Sequence, residues 1–157
     1  MFKYNIHDPL ILEEVQYLVD NKKPEVRTVE YKSQLPDGSA QGDNNCLLKP
    51  ACSFANSNDG YIIYGISEID NLPDEMTGVE LSDIDKTKQR LENLLRNNIE
   101  DQLNGIDMAV HPIKGKSTYL LIMSVKKSWY GPHRVTKNNT FYGRNSAGSY
   151  PMDMAEI

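Results

Sequence analysis

The chain has 157 residues, of which 39% are hydrophobic and 25% are charged, as in an ordinary globular domain with a sizeable core. No apolar run reaches the roughly 20 residues that a membrane-spanning helix needs, and the first ten residues lack the apolar core of a signal peptide. Cys46 and Cys52 fit neither a CxxC redox motif nor a disulfide framework. We therefore expect one domain over residues 1–157, with reduced thiols, in a cytoplasmic protein without a membrane partner.

The net charge of −5 is unevenly distributed along the chain. Residues 108–152 contain seven Lys or Arg and no Asp or Glu, which leaves ten of the 17 bases against all 22 acids, a balance of −12. Such asymmetry predicts one positive surface on an acidic body, suited to a polyanion such as nucleic acid. The alternative is a run of solvated lysines that blunt strand edges.

The first predicted element is a helix in the segment HDPLILEEVQYLVDN. Asp8 suits the N-cap and Pro9 the first helical position. Its predicted buried stripe consists of Ile11, Val15 and Leu18.

A strand is predicted in EVRTVEYK, residues 25–32. Because side chains alternate along a strand, Glu30 and Lys32 share one face, while Val29 and Tyr31 take the other. An unpaired Glu is unfavourable on a buried face, so Glu30 needs a partner or a role. Glu25 lies just upstream.

The next two segments predict a helix and a strand. CLLKPACSFANS suits a helix with Pro50 near its first turn, and GYIIYGIS suits a short apolar strand. Two strands flanking a helix indicate a right-handed crossover unit if they pair in parallel. A polar loop, EIDNLPDEMTGVEL, follows.

Ser82 and Asp85 resemble a capping box for a helix that runs to about Asn98. Three strand-like runs come next, IDMAVHPI, STYLLIMSVK and RVTKNNTFYGR, with turns predicted at KGK, SWYGPH and NNT. The sequence therefore predicts an α/β fold of α+β character, with a mixed β-sheet flanked by about three helices. The final SYPMDMAEI suits a helix start that is too short to be stable alone. We therefore expect this chain to be the N-terminal part of a longer protein with a C-terminal domain.

Three motifs together resemble the Schlafen AlbA_2 domain family. They are VEYK at 29–32, CSFANSNDGYIIYGISE at 52–68 and FYGRNSAGS at 141–149. Between the last two, VKKSWYGPHRV resembles the family's strand-then-proline segment. The resemblance covers about residues 20–157, although Asn58-Asp59-Gly60 replaces the paired glycines and Ser67-Glu68 the paired aspartates. The resemblance implies an α/β domain that binds nucleic acid, either RNA or DNA.

In Schlafen-type ribonucleases, as the resemblance implies, an E-x4-E-x-K motif and a later acid bind a divalent ion. The matching residues here are Glu25, Glu30, Lys32 and Glu68. The three carboxylates would bind Mg²⁺ or Mn²⁺, and Lys32 would stabilise charge at the scissile phosphate. The alternative is a solvated Glu30–Lys32 salt bridge.

A basic segment at 114–144 carries the candidate nucleic-acid contacts. Aromatic and basic side chains alternate in KKSWYGPHR, as they do in proteins that stack on unpaired bases. The predicted contacts are Lys126, Lys127, Trp129, His133, Arg134, Lys137 and Arg144. The alternative is that Trp129 packs against the sheet in a proline turn. The FAN motif, residues 54–56, is predicted to be mostly scaffold.

Three functions therefore stay open, and we rank a nucleic-acid-binding module of a regulatory or defence protein first. The second is a metal-dependent endoribonuclease that uses the carboxylates and Lys32. The third is a protein-interaction domain in which the basic strands form a homodimer contact.

Overall fold

The computed structural model describes residues 2–24 and 27–157 of the chain. Its helices are α1 (Ile11–Asp20), α2 (Ala40–Asp43), α3 (Lys49–Ser57) and α4 (Ile84–Asn98), and a π-helical turn, Asn44–Leu48, joins α2 to α3. Its strands are β1 (Val29–Lys32), β2 (Gly60–Tyr64), β3 (Ile66–Ile69), β4 (Leu72–Met76), β5 (Ile99–Glu100), β6 (Ile106–Pro112), β7 (Tyr119–Val125), β8 (Arg134–Val135), β9 (Tyr142–Asn145) and β10 (Gly148–Pro151). None of the helices described is both long and apolar enough to cross a membrane.

Four strands form the central sheet in the order β1-β2-β7-β6. β1 pairs with β2 in parallel, which the intervening α3 makes possible, and the remaining pairs are antiparallel. The sheet is therefore mixed, with three longer helices around it. The predicted fold class is confirmed.

Both faces of the central sheet are covered. Val29 and Tyr31 pack on one face with Ile11 and Val15 of α1. The other face contributes to a second apolar cluster with α3 and α4, which includes Phe54. Because Glu30 alternates with Val29 and Tyr31, its side chain enters the α3 side of the sheet, where it is only 7% exposed. This arrangement explains why a carboxylate on β1 is buried.

The segment predicted as a polar loop before α4 contains a hairpin instead. β3 and β4 pair antiparallel, and the turn between them has Asp70 at φ 54° and Asn71 at φ 65°. Asp and Asn tolerate the left-handed region that a tight hairpin turn requires. The prediction of a loop was wrong because the strands expose Glu68 and Glu75 and lack a clear apolar alternation.

Two helix starts differ from the sequence predictions. α1 begins at Ile11, after a turn in which the Asp8 carboxylate accepts a hydrogen bond from the Leu10 amide at 2.9 Å. α4 is capped by Asp83, whose carboxylate accepts from the Lys86 amide at 3.0 Å. The predicted capping box at Ser82 is therefore wrong: the cap lies one residue later, and Lys86 cannot supply the acceptor side chain that a box needs. Pro50 lies in the first turn of α3, as predicted.

The last third of the chain contains the predicted NNT turn but not the predicted helix start. The turn, with Asn139 at φ 55°, divides the run RVTKNNTFYGR into β8 and β9. The segment predicted as a helix start forms β10, paired with β9, followed by a turn at 154–156. Pro151 is the last residue of β10.

Candidate functional site

A buried ion pair joins the two motifs that the sequence singled out first. Arg144 of β9 lies 2.8 Å from the Oε1 atom of Glu30 on β1, and its side chain is fully buried. The same guanidinium donates to the carbonyl oxygens of Arg27 and Val29 and lies 4.1 Å from the centre of the Phe54 ring. Glu30 therefore has the partner that its burial demanded.

The position of Arg144 does not match its predicted role as a phosphate contact. Only 3% of the residue is exposed, and its guanidinium faces the protein interior. The planar fork that suits a phosphate here satisfies a carboxylate and several backbone oxygens instead. The geometry assigns Arg144 to the packing of β9 against β1 and α3.

Above this pair lies a polar cleft of about 290 Å³, the carboxylate cleft, lined by Glu30, Lys32, Asn45, Lys49, Pro50, Ala147, Gly148 and Ser149. The Lys32 ammonium is 3.6 Å from the Oε2 atom of Glu30. The structure thus brings Glu30 and Lys32 together, and it adds Lys49 from α3. Lys49 could not be predicted from the sequence, because its position along the chain bears no regular spacing to β1.

The described residues do not make up the predicted metal site. Glu68 is exposed on β3 and does not line the carboxylate cleft, and Glu25 lies outside the described residues. Across 2–24 and 27–157, no three His, Cys, Asp or Glu side chains are grouped so that they could bind a metal ion. A hard cation such as Mg²⁺ needs several oxygen ligands, whereas the described lining of this cleft contributes one carboxylate, already paired with Arg144.

A second opening, the aromatic groove, has a volume of about 430 Å³ and is lined by Ala55, Asp59, residues 103–106 and residues 126–130. Trp129 is 87% exposed and Tyr130 is 75% exposed. The Lys127 ammonium lies 5.9 Å from the centre of the Trp129 ring. Trp129 therefore does not pack against the sheet, and the structure brings Lys126, Lys127 and Trp129 to one surface.

The other predicted contacts are placed differently. His133 is buried, and its Nδ1 atom lies 2.6 Å from the Asp101 carbonyl oxygen. Arg134 forms an ion pair with Glu100. The Lys137 ammonium lies 3.6 Å from a carboxylate oxygen of the buried Asp43.

The acid-free segment is therefore largely compensated by acids from elsewhere in the chain. Lys116, Lys126, Arg134, Lys137 and Arg144 each lie within ion-pair distance of an Asp or Glu. In the part of the chain that the structure describes, Lys114 and Lys127 have no such partner within 4 Å. Positive charge is consequently concentrated at fewer positions than the sequence predicted.

A protein-family model described as "Schlafen, AlbA_2" matches residues 25–153, which is most of the chain. The chain belongs to the Schlafen AlbA_2 family. This membership indicates a nucleic-acid-related function.

A solved structure has the same kind of fold as this Schlafen AlbA_2 domain. It is the DIP2311 protein from Corynebacterium diphtheriae, with a TM-score of 0.58 and 16% identity. The match covers 92% of this chain and 27% of that one, so the domain spans about a quarter of the longer protein. At this identity the likeness concerns the fold alone. The search of curated proteins found no match.

Asn56, within the FAN motif of this Schlafen AlbA_2 domain, has a role that the sequence did not reveal. Its amide nitrogen donates to the carbonyl oxygens of His133 and Tyr142, both at 2.9 Å, and its carbonyl oxygen accepts from the His133 amide at 2.7 Å. Asn56 thus connects α3 to the loop that follows Trp129 and to β9. The prediction that FAN is scaffold agrees with these contacts.

Proposed function

We propose that this domain binds nucleic acid, RNA or DNA, through the rim of the aromatic groove, as a module of a regulatory or defence protein. One observation carries the proposal: two neighbouring aromatic side chains, Trp129 and Tyr130, are 87% and 75% exposed, and only Ser128 separates them from two lysines. Monomeric proteins rarely expose large aromatic groups side by side without a binding role. The adjacent ammonium groups supply the charge that a phosphate backbone requires.

The lysines of this surface are accessible to a ligand. Lys126 is paired with Asp59 at 3.7 Å, but both side chains are more than half exposed, and such pairs contribute little. Lys127 is exposed and uses its backbone amide, not its ammonium, to bind the Asp59 carboxylate at 2.7 Å. Both ammonium groups can therefore contact phosphates at small cost. Arg134 and Lys137 would add to this surface only by exchanging their present acidic partners.

The test measures affinity against salt. If lysines neutralise phosphates, the logarithm of the binding constant should fall linearly with the logarithm of salt concentration, by about 0.7 to 0.9 per phosphate contact. Reversing Lys126 and Lys127 to Glu should weaken binding to every sequence and lower that slope by about 2. Fluorescence anisotropy of a labelled oligonucleotide between low and physiological salt gives both quantities.

A charge-matched control uses α4. Lys86→Glu together with Lys88→Glu changes the net charge by the same amount, outside the aromatic groove. This control should keep most of the affinity, because its lysines are far from the acid-free segment in the sequence and line neither cleft. Affinity that ignores salt, or an equal loss in both double variants, would rule out the proposed surface.

Metal-dependent RNA cleavage, with Mg²⁺ or Mn²⁺ at Glu25, Glu30 and Glu68 and with Lys32 at the phosphate, is the second proposal. The shared position of Glu30 and Lys32 in the carboxylate cleft favours it. The exposed position of Glu68 does not favour cleavage, and the remaining metal ligand would have to be Glu25. Binding is therefore ranked above cleavage. A homodimer contact through the same basic strands is the alternative to both.

A further inference from the structure

The aromatic groove has an unusually well-fixed rim. Three consecutive backbone amides are held by three different parts of the fold: Lys126 donates to the Gly105 carbonyl at 2.9 Å, Lys127 to the Asp59 carboxylate at 2.7 Å and Ser128 to the Ala55 carbonyl at 2.8 Å. The chain that follows is fixed again at His133, through Asn56. Trp129 and Tyr130 therefore project from a short segment that is restrained at both ends.

This restraint matters for binding. A side chain that is already held near its binding position loses less conformational freedom when a ligand arrives. The Tyr130 amide also donates to the Ser128 hydroxyl at 3.1 Å, which restrains the backbone between the two aromatic residues. The exposed rings are thus presented by an ordered segment.

Residues 103–106 also line the groove. Leu103 and Ile106 are partly buried there and supply aliphatic groups, whereas Asn104 and Asp59 supply polar ones. A side chain at Gly105 would lie 2.6 Å from the Cβ atom of Lys126, so glycine at this position lets the backbones of residues 105 and 126 approach each other and form their hydrogen bond. The groove therefore combines exposed aromatic rings with aliphatic and polar groups, which suits a flat ring with polar edges.

The charge beside the groove indicates which kind of flat-ringed ligand can bind there. The Lys127 ammonium is near the Trp129 ring and has no acidic partner among the residues described. A ligand that stacks on Trp129 while placing an anion at Lys127 has a planar ring and a negative charge a short distance apart. A nucleotide of a polynucleotide chain has both.

We propose that the aromatic groove receives an unpaired base of a single-stranded nucleic acid, which stacks on Trp129 while Lys127 contacts the adjacent phosphate. The inference rests on the proposed nucleic-acid binding and adds the strand state of the ligand. Bases inside a duplex are stacked on one another and do not offer a free face to a protein ring, whereas unpaired bases do. Single-stranded ligands are consequently preferred over duplexes.

The test compares a labelled single strand of about 12 nucleotides with the blunt-ended duplex that this strand forms with its complement, at one low salt concentration. The single strand should bind about tenfold more tightly. Trp129→Ala should cost the single strand about tenfold in affinity and leave the duplex unchanged, whereas Trp129→Phe should recover most of the loss. Tyr17→Ala, which removes a 58% exposed aromatic side chain of α1 outside the groove, is the matched control.

A second readout is independent of affinity. Trp129 is the only tryptophan of the chain, so fluorescence excited at wavelengths that tryptophan absorbs and tyrosine does not reports this position alone. Stacking of an unpaired base should quench it on titration with the single strand and not with the duplex.

The outcomes separate this inference from the proposed function. If single strand and duplex bind equally, both lose affinity on charge reversal at Lys126 and Lys127, and neither responds to Trp129→Ala, nucleic-acid binding stands and the stacking site is refuted. If no nucleic acid binds, or binding ignores salt, both proposals fall.

Discussion

At the scale of single residues, the Glu30–Arg144 pair has the greatest structural effect. The two side chains are almost fully excluded from water and belong to strands that are far apart in the sequence. A buried pair of this kind contributes little net stability compared with apolar residues of similar volume, but removing one partner leaves an uncompensated charge. We therefore expect the fold to tolerate poorly the loss of either Glu30 or Arg144 alone, whether or not the pair takes part in any chemistry.

Glu30→Gln should lower the free energy of unfolding by about 3 kcal/mol, because the amide can still accept a hydrogen bond but no longer neutralises the buried guanidinium. Urea denaturation measures this loss. Glu75→Gln, which disrupts the exposed pair with Lys116, should change stability by less than about 1 kcal/mol. Equal effects of the two variants would contradict the structural role of the Glu30–Arg144 pair.

The same variant tests the second proposal. Under conditions where Glu30→Gln remains folded, it should abolish any metal-dependent RNA cutting, since the carboxylate charge that a hard cation needs is gone, while nucleic-acid binding persists. Folded RNA incubated with each protein, with manganese and with chelator, provides the measurement. No cutting by the unsubstituted protein on any RNA in manganese would eliminate the nuclease and leave the binding proposal intact.

At the scale of secondary-structure elements, the structure identifies which of two neighbouring residues, Ser82 or Asp83, caps the start of α4. The carboxylate of Asp83 binds the Lys86 amide, whereas the sequence favoured Ser82. Asp83→Ala should therefore cost about 1 kcal/mol of unfolding free energy. Ser82→Ala is the matched control and should lower the free energy of unfolding by only a few tenths of a kcal/mol. A larger effect at Ser82 than at Asp83, measured by thermal or urea denaturation, would contradict the observed cap.

The predictability of the elements follows from how local their determinants are. α1, α3 and β2 were predicted because apolar periodicity and the position of Pro50 specify them within one segment. The β3–β4 hairpin was missed because its strands are polar, and β10 was missed because its identity depends on pairing with β9.

The candidate sites were harder to predict than the elements, for the same reason. Charge counting over residues 108–152 found the bases but not the acids that approach them in space, as Asp43 approaches Lys137. The family resemblance grouped Glu68 with Glu30, but Glu68 is exposed on the β3–β4 hairpin and is not among the described residues that line the carboxylate cleft. Lys126, Lys127 and Trp129 were grouped correctly because they are neighbours along the chain.

At the scale of the whole molecule, burial controls the chemistry of the two thiols. Neither Cys46 nor Cys52 forms a disulfide, and burial raises the pKa of each to about 11. Burial also raises the pKa of Tyr64 well above its usual range. The folded protein therefore keeps these groups protonated at pH values where an unfolded chain would lose the protons.

The pH dependence follows with a definite sign. Because the folded-state pKa of each thiol is raised from 9.0 to about 11, the stability it contributes is present below pH 9 and is lost as the pH rises from about 9 towards 11. Urea midpoints at pH 8 and pH 10 should show this decline, and it should be smaller in Cys52→Ala. A decline of the same size in both proteins would contradict a contribution from Cys52.

The strand order β1-β2-β7-β6 also affects how quickly the molecule can form. β6 and β7 are joined by a short connection, and β1 and β2 by a single helical crossover, so each half of the sheet can assemble from nearby segments. The seam between β2 and β7, where Ile62 faces Met123, closes a loop that includes β3, β4, α4 and β6. Closing a loop of this length costs conformational entropy before β2 and β7 can form any stabilising contact. We therefore expect the pairing of β2 with β7 to be the slowest step in folding.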